Sequence, residues 1–189
     1  MAVKNMQDLL IDELRDIYHA EKQLTRALPK MARAASNEQL KQAFTQHLEE
    51  TQGQIERLEQ VFESLDERAR GKHCDGIAGI IEEGKSVMEE NFDDTTMDAC
   101  LIAAGQRAEH YEMAAYGTLV AWAETMGHTD AARLLQQTLD EEKAADKKLS
   151  GLAESGINQR AAEAAHAGDL QPVGTSGRTR KSPAKSGRR

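Results

Sequence analysis

Apolar side chains recur at three- and four-residue steps along four long stretches of the chain, a spacing typical of amphipathic helices. The stretches cover approximately residues 6–34, 36–66, 95–127 and 129–152. Ser-Asn-Glu-Gln at residues 36–39 resembles the capping box that starts a helix, and Thr95 and Thr96 are candidate caps for the third stretch. Gly127 is suited to end that third stretch. The pattern therefore predicts two helical hairpins, each with a short internal turn.

The segment between the two hairpins has a different pattern. Residues 67–95 begin with a polar ARGKHCDG loop and continue as a short, glycine-interrupted apolar stretch, which predicts a short helix within a long connection. After the second hairpin, a short fifth helix is predicted over residues 157–166. The remaining chain is rich in Gly, Ser, Pro and basic residues. We expect a helical domain over residues 1–166 and a disordered basic tail over residues 167–189.

The two hairpins are related by an internal repeat. A shift of 91 residues, without gaps, brings more than ten identical pairs into register over 59 positions, where this composition would give roughly four by chance. Most of the repeated positions are apolar, as a shared core requires. The pairs include Met6/Met97, Leu10/Leu101, Ile11/Ile102, Glu21/Glu112, Leu28/Leu119, Gln46/Gln137, Leu48/Leu139, Glu50/Glu141 and Leu58/Leu149.

Two hairpins joined by a connection of about thirty residues match the four-helix bundle that has one long crossover, as in ferritin-like folds. A bundle with only short up-and-down loops would not need this connection. We therefore predict an all-α, ferritin-like four-helix bundle built from two duplicated hairpins.

Charge and composition narrow the function classes. The net charge of −8 divides into about +5 on the last 24 residues and −13 on the rest, so only the tail could bind nucleic acid. No apolar run approaches the length of a membrane span, and the amino terminus lacks a signal-peptide pattern. Cys74 and Cys100 have no metal-binding or redox spacing. We expect a cytoplasmic protein that does not enter membranes.

Two of the repeated pairs are glutamates. Glu21 and Glu50 lie 16 and 13 residues from Asn37, so both are roughly 20–24 Å from the first turn and at one level of the hairpin. The same counting about the second turn places Glu112 and Glu141 at a matching level. Four converging carboxylates would need protons, basic partners or a metal cation. The repeat therefore predicts a carboxylate-rich site at mid-bundle.

Neighbouring side chains could complete such a site. His47 precedes Glu50 by three residues, and Glu109 precedes Glu112 by three, so each pair shares one helix face. The predicted ligand set for a divalent metal (Fe, Mn or Mg) is Glu21, Glu50, Glu112, Glu141, His47 and Glu109. For His47, a metal ligand and a helix-surface histidine are equally good interpretations.

Four segments of the chain resemble the YciE/YciF family of bacterial ferritin-like proteins, in the same order and over about residues 5–155. The resemblance implies a ferritin-like bundle, often dimeric, in a cytoplasmic protein associated with stress responses. It also implies metal binding and specifies no particular biochemical activity. The segments are DELRDIYHAEKQLTRALPKMARAA, HLEETQGQIERLEQVFESL, AEHYEMAAYGTLVAWAETMGH and TLDEEKAADKKL.

Di-iron ferritin-like proteins use a Glu on each of two helices and Glu-x-x-His on each of the other two. Glu21 and Glu112 match the single glutamates. Glu50 and Glu141 match the first member of Glu-x-x-His, but Gly53 and Ala144 occupy the histidine positions. An oxygen-rich site favours Mg, Ca or Mn over a nitrogen-rich iron centre. The candidate substitutes for the missing histidines are His47, Gln54, Glu109 and Glu142.

Three functions are compatible with these patterns. The first is a metal-binding, ferritin-like stress protein. The second is a structural or dimerising helical module without metal, in which the inward carboxylates hydrogen-bond to His and Tyr side chains. The third is a DNA-protecting protein that binds through its basic tail. The sequence has no CxxC, HExxH or nucleotide-binding glycine motif, and enzymatic activity is left open.

Overall fold

The computed structural model describes residues 3–169 and confirms the all-α bundle. Residues 170–189 lie outside the described residues, so the disorder and nucleic-acid binding expected of the tail stay predictions. The long helices pair as α1 with α2 and α4 with α5, and the short α3 lies in the crossover. The helices are α1 (Met6–Ala34), α2 (Glu38–Ser64), α3 (Asp75–Glu89), α4 (Asp94–Thr125), α5 (Thr129–Leu152) and α6 (Asn158–Asp169).

Polar side chains define where the helices begin. Asn5 and Asp8 form a reciprocal capping box at α1. At α2 the cap is Asn37, whose side chain accepts the backbone N–H groups of residues 39 and 40, and not Ser36 as the sequence predicts. At α4 the cap is Asp93, which binds the N–H groups and hydroxyls of both threonines that the sequence predicts as caps. The carboxylate displaces the neighbouring hydroxyls because it accepts several hydrogen bonds at once.

Contacts between the hairpins follow the internal repeat. Gln7 and Asp98 are related by the 91-residue shift, and each reaches the turn of the opposite hairpin. Gln7 Oε1 lies 2.8 Å from His128 Nε2, while Asp98 accepts the backbone N–H groups of Ser36 and Asn37 at 2.8 and 3.0 Å. These related contacts hold the two hairpins in a pseudo-symmetric arrangement and fix the level at which their mid-helix residues meet.

The crossover is attached to the bundle by a small, partly buried network. Cys74 Sγ lies 2.8 Å from Tyr111 Oη, and that hydroxyl donates to Asp16 Oδ2 at 2.9 Å. Gly76 leaves room for this network, because an added Cβ would come within 2.7 Å of the Tyr111 ring. Helix α3 thereby packs on α4 and α1. After α5, a wide turn over Ala153–Ile157 kinks at Gly156, whose φ is 127°, and leads into α6.

Among residues 3–169, no helix combines the length and the apolar character needed to cross a bilayer.

Replacing Asp98 with alanine should lower the free energy of unfolding by about 2 kcal/mol, because hydrogen bonds to a charged acceptor contribute roughly 1.5–3 kcal/mol. The change leaves the N–H groups of Ser36 and Asn37 without their carboxylate. Urea denaturation measures the effect. The Glu56→Ala variant removes one acid from an exposed position of α2 and is the control, expected to unfold as the wild type does. Equal stability of the two variants would contradict the inter-hairpin role of Asp98.

Candidate metal centre

Four buried side chains from three helices converge at mid-bundle. His47 comes from α2, Glu109 and Glu112 come from α4, and Glu142 comes from α5. One ligand atom from each residue lies within 4.8 Å of the others. His47 Nε2 is 3.3 Å from Glu109 Oε1 and 3.7 Å from Glu142 Oε2. We refer to these four residues as the central cluster.

Helix α1 adds Glu21 beside the central cluster. This residue is completely buried, and its Oε1 accepts a 2.5 Å hydrogen bond from the Tyr116 hydroxyl. Its charge interacts with those of Glu112 and Glu142. All four long helices therefore contribute an ionisable side chain to one buried region.

Most of the carboxylate oxygens in this region have no hydrogen-bond donor. Within residues 3–169, the buried acceptors without a partner are Glu21 Oε2, Glu109 Oε2, Gln54 Oε1 and both side-chain oxygens of Glu112 and Glu142. A buried acceptor without a donor costs about 1–3 kcal/mol, and more when it is charged. This excess of acceptors is satisfied by added protons or by a cation held among the oxygens.

The electrostatics reflect the same excess. Burial, reinforced by the charge of Glu142, raises the pKa of Glu21 from 4.5 to about 8. Burial likewise raises the pKa of Glu109 to about 7 and lifts those of Glu112 and Glu142 well above their ordinary value. Burial opposes protonation of His47, but its bond to Glu50 and the charges of the buried carboxylates outweigh burial and raise its pKa.

The six predicted ligands fall into two groups. The structure brings Glu21, Glu112, His47 and Glu109 together, but it does not bring Glu50 or Glu141 into the central cluster. Both oxygens of Glu141 bind the Arg57 guanidinium, at 2.7 and 2.9 Å. The side chain of Glu50 is about one-third exposed, and its Oε2 is 3.4 Å from His47 Nδ1, on the outer side of the ring.

The inward positions of α2 and α5 lie one residue after these repeated glutamates. They are Thr51 and Glu142, which the 91-residue shift also relates and which are both completely buried. Because Thr51 is not acidic, the pairs of identical glutamates in the repeat do not indicate this inward position. The buried stripe of α2 was the available signal, since it continues from Phe44 through His47, Thr51 and Gln54 to Leu58 at helical spacing.

A narrow cavity connects the central cluster with the protein surface. It has a volume of about 80 Å³ and opens between α2 and α5. His47 and Glu109 lie at its inner end, and Glu50 and Lys148 are also part of its wall. Lys148 Nζ donates to Gln46 Oε1 at 2.7 Å, across the gap between the two helices. Within the central cluster, His47 and Glu109 are therefore within reach of small solutes.

The chain is similar to known proteins in sequence and in fold. The chain is 52% identical to protein YciF of Escherichia coli (strain K12) over 162 residues, which cover 85% of this chain and 98% of YciF. The crystal structure of that protein, described as a stress protein, superposes with a TM-score of 0.80 over 82% of this chain and 99% of its own.

Two further structures are similar. YcfI of Rhodopseudomonas palustris, described as a putative structural protein, is 52% identical, with a TM-score of 0.77 over 78% of this chain and 94% of its own. A protein from Xanthomonas campestris is 22% identical, with a TM-score of 0.63 over 88% of this chain and all of its own, and shows the shared fold alone. The family described as a domain of unknown function, DUF892, matches residues 5–162. As the sequence resemblance to the YciE/YciF proteins predicts, the chain belongs to the DUF892 family, with YciF as a relative.

Proposed function

We propose that this protein is a metal-binding member of its family, with a divalent cation held by the central cluster and Glu21. The observation that carries the proposal is the excess of buried carboxylate oxygens over hydrogen-bond donors around His47. A cation shared by several carboxylates removes their mutual repulsion and satisfies their oxygens together. Because YciF is described as a stress protein, we place this activity in a bacterial stress response.

The donor set favours a cation that accepts both oxygen and nitrogen. Glu21, Glu109, Glu112 and Glu142 offer carboxylates, and His47 offers one imidazole nitrogen. Carboxylates suit Mg²⁺ and Mn²⁺, whereas imidazole suits iron and other transition metals. Mn²⁺ and Fe²⁺ accept both donor types and are the preferred candidates, with Mg²⁺ as the alternative. A redox-active ion would supply electron-transfer chemistry, while the chain itself binds, orients and encloses it.

Two residues that are not ligands themselves hold the ligand side chains in place. Tyr116 is completely buried and holds one oxygen of Glu21, so the other oxygen is left for a cation. On the opposite side, Glu50 binds His47 Nδ1 and so directs Nε2 toward Glu109 and Glu142. A carboxylate that binds the second ring nitrogen of a metal-binding histidine fixes the ring and raises its basicity.

The second candidate is a structural helical module that binds no metal. The raised pKa values of Glu21 and Glu109 favour it, because protonated carboxyls can remain buried without a cation. The description of YcfI as a putative structural protein is compatible with this role. Elemental analysis of protein purified without chelators separates the two candidates. The homodimer that the resemblance implies stays a prediction under either one.

Addition of Mn²⁺ or Fe²⁺ (the latter without oxygen) to the metal-free protein should raise its melting temperature. At a free concentration of 100 times the dissociation constant, binding stabilises the folded state by about 2.7 kcal/mol, or about 5–10 °C for a domain of this size. The Glu112→Gln variant should lose most of this increase, because Gln cannot supply a charged ligand.

Glu141→Gln is the matched control, since Glu141 is bound to Arg57 outside the central cluster. It should keep the full metal-dependent increase in melting temperature. Absence of any increase in the wild type would favour the structural module. Equal loss in both variants would instead place Glu141 among the ligands.

The metal-free protein should become less stable as the pH rises from about 4.5 to 8. Over this range the folded Glu21 and Glu109 hold protons that the same carboxyls have lost in the unfolded chain, so each increase in pH favours unfolding. The raised pKa of His47 acts in the same direction above pH 6.5. Melting temperatures in the presence of a chelator measure this slope. The Glu21→Gln variant imitates the protonated acid and should show a shallower slope; a wild-type melting temperature independent of pH would contradict the prediction.

A further inference from the structure

The α2–α5 interface consists of two halves that the internal repeat relates. The 91-residue shift pairs Glu50 with Glu141, Arg57 with Lys148, and Gly53 with Ala144. In one half Arg57 of α2 meets Glu141 of α5. In the other half Lys148 of α5 lies near Glu50 of α2 and lowers its pKa, after the larger effect of the His47 bond. Although the repeat relates the two halves, only one of them has a cavity between α2 and α5 in the described part of the chain.

The half around Glu141 is closed. Arg57 donates to both Glu141 oxygens and to Thr138 Oγ1, the last at 2.7 Å. Gln54 also donates to Glu141, at 3.2 Å. A bidentate guanidinium–carboxylate pair is planar and geometrically rigid. We call this region, formed by Gln54, Arg57, Thr138 and Glu141, the closed half.

The half around Glu50 is open. Lys148 replaces the guanidinium with a single flexible ammonium group, which bonds to Gln46 and not to Glu50. Gln46 in turn donates to Glu50 at 2.7 Å. Beneath them, Ala145 stands at the position related to Gln54, and this smaller side chain lies in the wall of the 80 Å³ cavity. We call this region, formed by Gln46, His47, Glu50, Ala144, Ala145 and Lys148, the open half.

Ligand atoms line the open half from the surface to the central cluster. Side-chain exposure falls from 34% at Glu50 to 7% at His47 and 3% at Glu109. The successive contacts are 3.4 Å from Glu50 to His47 Nδ1 and 3.3 Å from His47 Nε2 to Glu109. A cation that leaves water gradually needs such a series of closely spaced donors, because each lost water must be replaced.

We propose that divalent cations reach and leave the central cluster through the open half. Glu50 is the first carboxylate to bind the incoming cation, His47 is the last contact before the buried carboxylates, and the positive charge of Lys148 slows the passage. This inference rests on the proposed metal binding. It also gives Glu50, a ligand predicted from the sequence, a role in the rate of binding and not in the final coordination.

Stopped-flow mixing of the metal-free, full-length protein with Co²⁺, followed by its visible absorption, measures the association rate, and a chelator chase measures the release rate. Glu50→Gln should lower the association rate by about 10-fold at low ionic strength, since charges lining a cleft raise counter-ion on-rates by at least that factor. Lys148→Gln should raise both rates severalfold, with the difference shrinking in high salt. For Lys148→Gln the dissociation constant should change little, because a residue on the route affects entry and exit alike. Glu50→Gln also removes the carboxylate that fixes the His47 ring, so this variant should in addition bind the cation more weakly.

Steric variants provide the matched test. Ala144 is exposed in the wall of the open half, so Ala144→Trp should obstruct the route and slow both association and release severalfold. Gly53 is its counterpart in the closed half, and no atom of residues 3–169 lies within 4 Å of a Cβ added there, so Gly53→Trp should leave both rates unchanged. Circular dichroism confirms that each variant folds. If Ala144→Trp does not fold, the test is the association rate of Glu50→Gln compared with that of Glu141→Gln, which changes a residue of the closed half.

The outcomes separate the route from the binding itself. A wild-type protein that binds no Co²⁺ in an equilibrium titration overturns the proposed function and the route with it. Normal equilibrium binding combined with equal rates for Ala144→Trp and Gly53→Trp, or for Glu50→Gln and Glu141→Gln, overturns the route alone. Slower association and release in Ala144→Trp than in Gly53→Trp, at unchanged affinity, support both, and so does slower association in Glu50→Gln than in Glu141→Gln.

Discussion

The burial of four carboxyl groups beside one imidazole is the constraint on which the arrangement of this bundle depends. Each ionised carboxylate would lose its hydration, and neighbouring negative charges would repel one another across a few ångströms. Two side chains offset part of this cost: Tyr116 donates a hydrogen bond to Glu21, and His47 Nε2 lies near Glu109 and Glu142. The remaining oxygens need protons or a cation, so the charge state of the cluster is coupled to folding.

The duplicated hairpins supply the frame for this cluster, while differences between the copies supply its chemistry. Glu21 and Glu112 are the same residue in both copies and occupy equivalent buried positions. Elsewhere the copies differ, because Glu109 and Glu142 in the second hairpin correspond to Tyr18 and Thr51 in the first. The second hairpin therefore carries three of the four buried carboxylates, and the first contributes Glu21 and the histidine. Two other differences between the copies, Arg57 in place of Lys148 and Gln54 in place of Ala145, leave one half of the α2–α5 interface closed and the other open.

The fold could be predicted because its signals extend over whole helices. Apolar periodicity, turn residues and the repeat all agree on two hairpins and a long crossover, and errors of one or two residues at the caps do not change the topology. The positions of Glu21 and Glu112 follow from the same pattern, since both lie on the apolar stripes of their helices.

The rest of the site depends on a finer quantity, the rotation of each helix about its own axis. Adjacent residues point about 100° apart, so Glu141 faces Arg57 at the surface while Glu142 faces the interior. Counting residues from the turns gives only the level of a residue along the bundle. Two consecutive glutamates lie at nearly the same level, so counting does not distinguish them. Only the buried neighbours on the same helix, such as Thr138 and Leu149, establish which of the two points inward.

Stability alone does not account for the composition of the bundle centre. The buried core of the described residues consists mainly of Leu, Ile and Ala side chains, and apolar replacements of buried ionic groups are often neutral or stabilising by 1–4 kcal/mol. A purely structural core would therefore bury Leu or Met where Glu112 and Glu142 lie. Residues that weaken a core locally are typical of functional sites, where the lost stability is recovered when a ligand binds. The cavity that leads from Glu50 to His47 and Glu109 is the route that we propose for such a ligand.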